Sequence, residues 1–243
     1  MQYEELSLNA YPALQTLLYD GWVLRFADGY AYSANSISPI YPSTIDIQTK
    51  ISECESYYSA HGLSDIYRLT DGCHTSIDKV LEQKRYTIAT PTNVMNMNMQ
   101  IIDFCSKDCT ISGHVDDEWL ASYFAFINYS NTTNIAIAKK ILNNIKNTVL
   151  CGRVIKDGDC VACVLAVIER GYVRLMNIAV DEFQRGKGYG KEICKSLLSA
   201  AKDLGAHTTY VHVLKSNDKA LNLYEKLGYK HLYLYWYRVK KSR

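Results

Sequence analysis

Residues 177–190 read Asn-Ile-Ala-Val-Asp-Glu-Phe-Gln-Arg-Gly-Lys-Gly-Tyr-Gly. An apolar, strand-like run ends in a loop with two cations and three glycines within six residues, and a helical pattern follows. The first turn of any helix presents N–H groups that no carbonyl of its own reaches, together with a partial positive charge. Glycines let a phosphate come close to those amides, and Arg185 and Lys187 add formal charge. The pattern predicts a phosphate or diphosphate seat on Arg185, Gly186, Lys187, Gly188, Tyr189 and Gly190. A P-loop does not fit, because it needs Lys-Ser/Thr after its last glycine and here Lys191-Glu192 follow Gly190. A dinucleotide fold does not fit either. It places its glycine turn after the first strand of a parallel sheet, whereas tight turns at Asp157-Gly158 and Arg170-Gly171 make the preceding strands antiparallel neighbours. The plain alternative is a glycine-rich turn with solvated charges.

Four more side chains could do chemistry. Tyr224 lies seven residues after Asn217, two helical turns, so both can follow one face. A tyrosine in that place can be a core aromatic with its hydroxyl satisfied. Asn217 can touch a ligand or cap the helix that follows. His212 sits in a strand pattern and Glu182 beside the loop. Each could accept a proton, and each could simply be solvated. The eight cysteines (54, 73, 105, 109, 151, 160, 163 and 194) are scattered, several in apolar runs, which suits reduced, buried thiols. Cys160-x-x-Cys163 is half of a zinc pattern, but a clean second pair is missing, so no metal is expected.

Two motifs in order carry a family resemblance. Arg185-x-x-Gly188-x-Gly190 matches R/Q-x-x-G-x-G/A. Val211 to Asn217, then Ala220 and Leu223-Tyr224-Glu225-Lys226-Leu227-Gly228-Tyr229, match a strand, an Asn and an A-x-x-LYEKxGF/Y helix. Over about residues 115–240 the chain resembles the GNAT superfamily of acyltransferases. Asn9 to Tyr41, with its DGWVLRFADGY run, is similar to a subset of bacterial GNAT proteins with an extra N-terminal module. The resemblance implies acetyl-CoA as co-substrate, bound between splayed strands at Leu175 to Val180 and Thr208 to Leu214. Its pantetheine arm would pair with backbone at Ile178, Ala179 and Val180 and touch Asn217, and its diphosphate would sit on residues 185–190. Tyr224 would protonate the thiolate; His212, Glu182 or water would take the proton of the amine. The implied activity is acetyl transfer to a primary amine of a small-molecule or peptide acceptor. The rival is a non-catalytic acyl-CoA-binding or regulatory protein.

The elements that must position these residues follow from periodicity. Strands are expected at Thr148 to Ile155, Cys160 to Glu169, Tyr172 to Val180, Thr208 to Leu214 and Tyr229 to Val239. Helices are expected at Asp116 to Phe126, Asn134 to Ile145, from the loop to Leu204, and at Asp218 to Leu227. Upstream, strands and turns fill Gly21 to Pro42, with Tyr30 to Ser36 running back. A helix with a capping-box-like start at Ser43 and Asp46 reaches His61, with Ile47, Ile51, Cys54 and Tyr58 on one face. A strand at Ile66 to Leu69, a helix at Ser76 to Lys84 and a strand at Asn93 to Ile102 come next. The fold class is α+β, a mixed, mostly antiparallel sheet flanked by helices: a GNAT-type C-terminal domain at 109–243 and a smaller, partly similar module at 1–108. Ile77 to Tyr86 faintly echoes Asn217 to Tyr229, each a short helix ending in an aromatic, which suggests two halves of common descent. The N-terminal module has no glycine-rich loop, so it reads as a lid or acceptor-pocket wall, with Trp22, Arg25, Tyr30, Tyr32 and Asn35 as candidates or as plain core.

Bulk properties narrow the partners. The chain has 243 residues, 48% hydrophobic and 21% charged, with a net charge of +2. That is ordinary for a globular protein and gives no field for nucleic acid or an anionic membrane. The start MQYEELSLNAYP does not read as a secretory signal, and no apolar run is long enough to span a bilayer, so a cytoplasmic location is expected.

Overall fold

The computed structural model describes residues 2–72, 74–99 and 109–240. Chain contacts divide it into two units. The first takes residues 1–94, 213–217 and 232–243; the second takes 95–212 and 218–231. The division is thus not one cut along the chain. The expected boundary between 1–108 and 109–243 falls mostly outside the described residues, and the described end of that segment forms a strand, β6 (Cys109–Ser112).

The first unit begins with α1 (Gln2–Ala10) and an antiparallel meander of β1 (Gln15–Tyr19), β2 (Trp22–Phe26) and β3 (Ile37–Pro39). Then come α2 (Ile47–Ala60), β4 (Ile66–Thr70), α3 (Thr75–Gln83) and β5 (Thr87–Asn98), whose last residues count with the second unit. β4 runs parallel to β3, pairing at Ile37↔Tyr67. On its other side β4 pairs antiparallel with the C-terminal half of β11 (Lys230–Val239), from Tyr235↔Thr70 to Val239↔Ile66. The core gathers Trp22, Leu24, Phe26, Ile37, Ile51, Cys54, Tyr58, Tyr67, Leu69, Ile77, Leu81 and Tyr86. Burial of such large side chains supplies most of the driving force for folding.

Several expectations need correction here. α1 and β1 carry no clear period and were not expected. Tyr30 to Ser36 forms turns, not a returning strand. Asn35 organises them: its side chain accepts from the amides of Ala27 (2.7 Å) and Gly29 (3.0 Å) and donates to the carbonyls of Ala27 and Ala31. The α2 cap is Asp46, which accepts from the amides of Gln48 and Thr49, while Ser43 binds Asp20. The buried face of α2 includes Lys50, whose ammonium meets Asp20 at 2.9 Å and lies 4.6 Å from the Trp22 ring centre. A buried ammonium is tolerable only with such partners. β5 starts six residues earlier than Asn93, and Gln100 to Ile102 lie outside the described residues.

The second unit carries α4 (Asp117–Phe126), α5 (Thr132–Asn143) and the antiparallel run β6, β7 (Thr148–Lys156), β8 (Asp159–Glu169) and β9 (Tyr172–Val180). Then follow α6 (Tyr189–Asp203), β10 (Thr208–Leu214), mostly in this unit, and α7 (Asp218–Leu227). β10 runs parallel to β9. The tight turns put Asp157 (φ 53°) and Arg170 (φ 50°) in the left-handed region, each followed by a glycine, as hairpins of this length require. α4 and α6 both pack on β7, β8 and β9. α6 buries Ile193, Cys194, Leu197, Leu198 and Ala201, the expected stripe without Leu204, which caps the helix and is exposed.

Along the chain, α1 to β5 and α4 to β11 follow a similar order of helix, three-strand meander, helix, parallel strand, helix and strand, with α5 as an extra helix in the second stretch and most of β11 counted with the first unit. The fold is α+β with a mostly antiparallel sheet.

Candidate active site

The site starts from an irregularity in β9. Cys163 pairs with Ala179 and Leu165 with Met176, so two residues of β9, Asn177 and Ile178, lie opposite Val164 alone. This is a β-bulge. Asn177 takes φ 53°, a left-handed conformation that asparagine accepts more readily than most residues. The Val164 carbonyl, opposite the bulge, accepts from the Trp119 indole of α4 at 3.1 Å instead, so the buried acceptor is satisfied. Nothing in the sequence marks the bulge beyond an asparagine in an apolar run.

Beyond this point the sheet opens. β9 and β10 pair from Tyr172↔Thr208 to Arg174↔Tyr210 and no further. Leu175 to Val180 and the residues after Tyr210 separate, leaving backbone groups on facing edges. Ile178, Ala179 and Val180 form the β9 edge just before the glycine loop.

The loop folds as a 3-10 turn, Glu182–Gln184, capped by the Asp181 side chain on the Phe183 amide. Gly186 (φ 80°) and Gly188 (φ 94°) are both left-handed, and nothing lies within 4 Å of the place a β-carbon would take at either. Their freedom is used for backbone direction and leaves open space in front. Gly188 is the N-cap of α6 and has no side chain to cap it. The first donors of the helix are Lys191 and Glu192, both to the Gly188 carbonyl at 3.0 Å, so the amides of Tyr189 and Gly190 precede any intrahelical bond. Arg185 folds back, its Nε donating to the Val180 carbonyl at 3.3 Å, and Lys187 reaches Gln184 at 2.7 Å. Both cations are exposed. This cradle of open amides, glycines and cations fits a diphosphate.

Tyr224 on α7 is buried, and its hydroxyl has no hydrogen-bond partner among the described residues. Its ring meets Tyr229 edge-on at 5.3 Å. Burial pushes the phenol well above the usual tyrosine range, so it keeps its proton at neutral pH. The Tyr229 hydroxyl, by contrast, is bound to Thr209 Oγ1 at 2.8 Å. His212 Nδ1 lies 3.2 Å from an Arg174 nitrogen. A guanidinium only donates, so Nδ1 accepts and the ring proton sits on Nε2. A second proton would set two cations side by side, which opposes a role as base while Arg174 holds this place. Glu182 is exposed in the 3-10 turn. Asn217 belongs to the first unit, directly before α7, and its amide donates to the Leu214 carbonyl at 2.9 Å. Arg174 and Trp119 are the residues that sequence reasoning missed.

Among the candidate wall residues of the first unit, Trp22 and Asn35 are buried structural residues. Arg25 is buried and donates to the carbonyls of Tyr11 and Ser33. Tyr32 is exposed on one side and packs on Tyr237 at 5.4 Å between ring centres.

A bulged strand, a parallel neighbour that splays from it and a glycine-led helix at the exit define an N-acetyltransferase of the GNAT type. The chain belongs to the family described as "Probable histone acetyltransferase Rv0428c C-terminal", which matches residues 2–237. It is 24% identical over 245 residues to the uncharacterized N-acetyltransferase YobR of Bacillus subtilis (strain 168), covering 98% of this chain and 97% of that one. A GCN5-related N-acetyltransferase from Kribbella flavida has a similar structure, with TM-score 0.70 at 12% identity over 99% of this chain and 93% of the other. So has a tandem GNAT protein from the clavulanic acid biosynthesis pathway, with TM-score 0.68 at 7% identity over 100% and 89%. At such identities the two structures speak for the fold alone. The tandem architecture agrees with the repeated element order.

Proposed function

We propose that the chain transfers an acetyl group from acetyl-CoA to a primary amine of a small-molecule or peptide acceptor. The carrying observation is the opening between β9 and β10, which ends at a glycine loop whose amides are open. In this reading the backbone of Ile178, Ala179 and Val180 pairs with the pantetheine arm, Asn217 touches that arm, and residues 185–190 hold the diphosphate. The amine nitrogen attacks the thioester carbon, the C–S bond breaks, and Tyr224 gives its proton to the sulfur. Solvent restores that proton. The excess proton of the amine leaves to water or through Glu182, because Arg174 occupies the basic nitrogen of His212. The location proposed is the cytoplasm; among the described residues no helix is long and apolar enough to cross a membrane.

The test is thermal stabilisation by acetyl-CoA followed by an amine-panel assay of thiol release. A ligand at about 100 times its Kd stabilises by about 2.7 kcal/mol. Gly188→Val places a β-branched residue at φ 94°, where L-residues are strained, and should abolish the shift. A shift that survives puts the diphosphate elsewhere. Tight binding without turnover of any amine would favour a non-catalytic binder.

A further inference from the structure

The first unit repeats the same strand opening but closes it differently. β3 and β4 pair only at Ile37↔Tyr67 and then diverge. Here His74 bridges the two strands: Thr70 N–H donates to its Nδ1 (3.0 Å), so Nε2 carries the proton and donates to the Pro39 carbonyl (2.7 Å). Burial lowers the pKa of this imidazole, which keeps it neutral and in that tautomer. The loop from β3 to α2 is the counterpart of the glycine loop, and its amides are already taken. Asp20 accepts from the amides of Thr44 and Ile45 (3.1 and 2.9 Å), and Asp46 accepts from those of Gln48 and Thr49 (both 3.1 Å). The Ile45 amide above all, then the Ser43 hydroxyl and Lys50, hold the Asp20 carboxyl well below its usual range. A diphosphate placed there would meet two carboxylates where the other loop offers open amides.

A cleft of about 410 Å³ remains, lined by Trp22, Ile40, Tyr41, Ile45 and Ile77, with Glu4 and His74 among its polar members. That volume suits a small ligand. Its electrostatics are acidic. Glu4 lines it, Asp20 binds the lining residues Ser43 and Ile45, Asp46 stands between Ile45 and Ile47 in the chain, and Tyr41 donates to Glu5 at 3.0 Å. Against these four carboxylates stand the two buried cations Lys50 and Arg68, each already paired, with Asp20 and with Glu4. Glu4 is buried; Arg68 forks onto it, with Nε donating to Oε2 at 2.8 Å and a terminal nitrogen to Oε1 at 2.9 Å, and the Tyr233 hydroxyl also donates to Oε1, which leaves Oε2 with one donor. A carboxylate oxygen has two lone-pair sites, so a second donor can join it there.

We infer that this cleft is a separate binding site for a small monocationic amine with an apolar body, its ammonium directed to Glu4 and its body against Trp22, Ile40 and Ile77, and that it does not take an anion. The inference does not depend on the acyl-transfer reading, because it concerns binding in the first unit alone.

Three probes of matched shape decide it at pH 7: phenethylamine, 2-phenylethanol and 3-phenylpropionate, titrated into the full chain by ligand-observed NMR. The amine should bind about tenfold or more tighter than the alcohol, the scale of one charge-assisted hydrogen bond, and the carboxylate should not bind. Ser76 lines the cleft and is exposed in the first turn of α3, so Ser76→Trp blocks the mouth without touching the core. It should weaken the amine by about tenfold or more while the melting temperature stays put, as for most surface substitutions. Equal binding of amine and carboxylate, binding of none of the three, or amine binding untouched in a folded Ser76→Trp would each overturn the inference; the last would place the amine elsewhere.

Discussion

Replacing Tyr224 by Phe separates chemistry from stability unusually well in this molecule. The hydroxyl has no partner among the described residues, so its removal breaks no hydrogen bond, and the ring contact with Tyr229 is kept. Unfolding free energy should therefore change by about 0.5 kcal/mol or less. Loss of the proton donor to the thiolate should slow acetyl transfer by about 100- to 10,000-fold, roughly 2.7–5.4 kcal/mol of barrier. Tyr229→Phe is the matched control. It strands the buried Thr209 hydroxyl, now bound at 2.8 Å, and should cost about 1–3 kcal/mol of stability with little effect on the chemical step. The assay is single-turnover acetyl transfer by rapid quench, which slow product release cannot mask, beside urea unfolding of both variants. Because burial raises the Tyr224 pKa, the wild-type rate should show no alkaline decline near the ordinary tyrosine value of about 10. An unchanged single-turnover rate in folded Tyr224→Phe, or an equal loss in Tyr229→Phe, would refute the role of the Tyr224 hydroxyl.

Three other outcomes are expected. Arg238 on β11 is buried, forks onto Asp78 with two bonds of 2.8 Å and donates to the Tyr86 carbonyl at 3.0 Å; Arg238→Ala should cost about 2–3 kcal/mol, read as a lower urea midpoint at unchanged slope. Burial raises the phenols of Tyr58, Tyr67, Tyr229 and Tyr237, so the native state holds those protons more tightly than the unfolded chain. The stability from this source is complete below about pH 10 and falls as the pH climbs past it, and urea midpoints from pH 8 to 11 should drop accordingly. Burial likewise pushes the thiols of Cys54, Cys151 and Cys194 up to about 12. A brief iodoacetamide pulse at pH 7.5, mapped by mass spectrometry, should label these three only after unfolding.

The C-terminal half of the chain was legible because turn signals bound its elements. β9, β10 and α7 match the expected spans residue for residue, each set off by Gly171, His207 or Gly228 and its neighbours. The missed elements lacked such signals. α1 buries Glu4 and Ser7 alongside Leu6 and Ala10, so its inner face is half polar and shows no apolar period. β1 is largely exposed, with Leu18 at 71%, and an edge strand need not alternate. Lys50 looks like a surface lysine until Asp20, thirty residues away, is folded against it. The bulge at Asn177 and the grip of Arg174 on His212 depend on partners on other strands, which local patterning cannot reveal.

The pairing of β11 with β4 bears on how the chain is made. β4 waits for a neighbour that is synthesised about 160 residues later. At roughly 5–20 residues per second, the ribosome needs on the order of ten seconds or more to deliver it. Until then the nascent first unit exposes the β4 edge, an open template for wrong strand partners. Its half-buried Asp78 also lacks Arg238, and Glu4 lacks the hydrogen bond it accepts from the Tyr233 hydroxyl. Whatever early structure the first 94 residues adopt, the native unit closes only once β11 has been made, and a chain cut short before β11 would leave β4 without this partner strand.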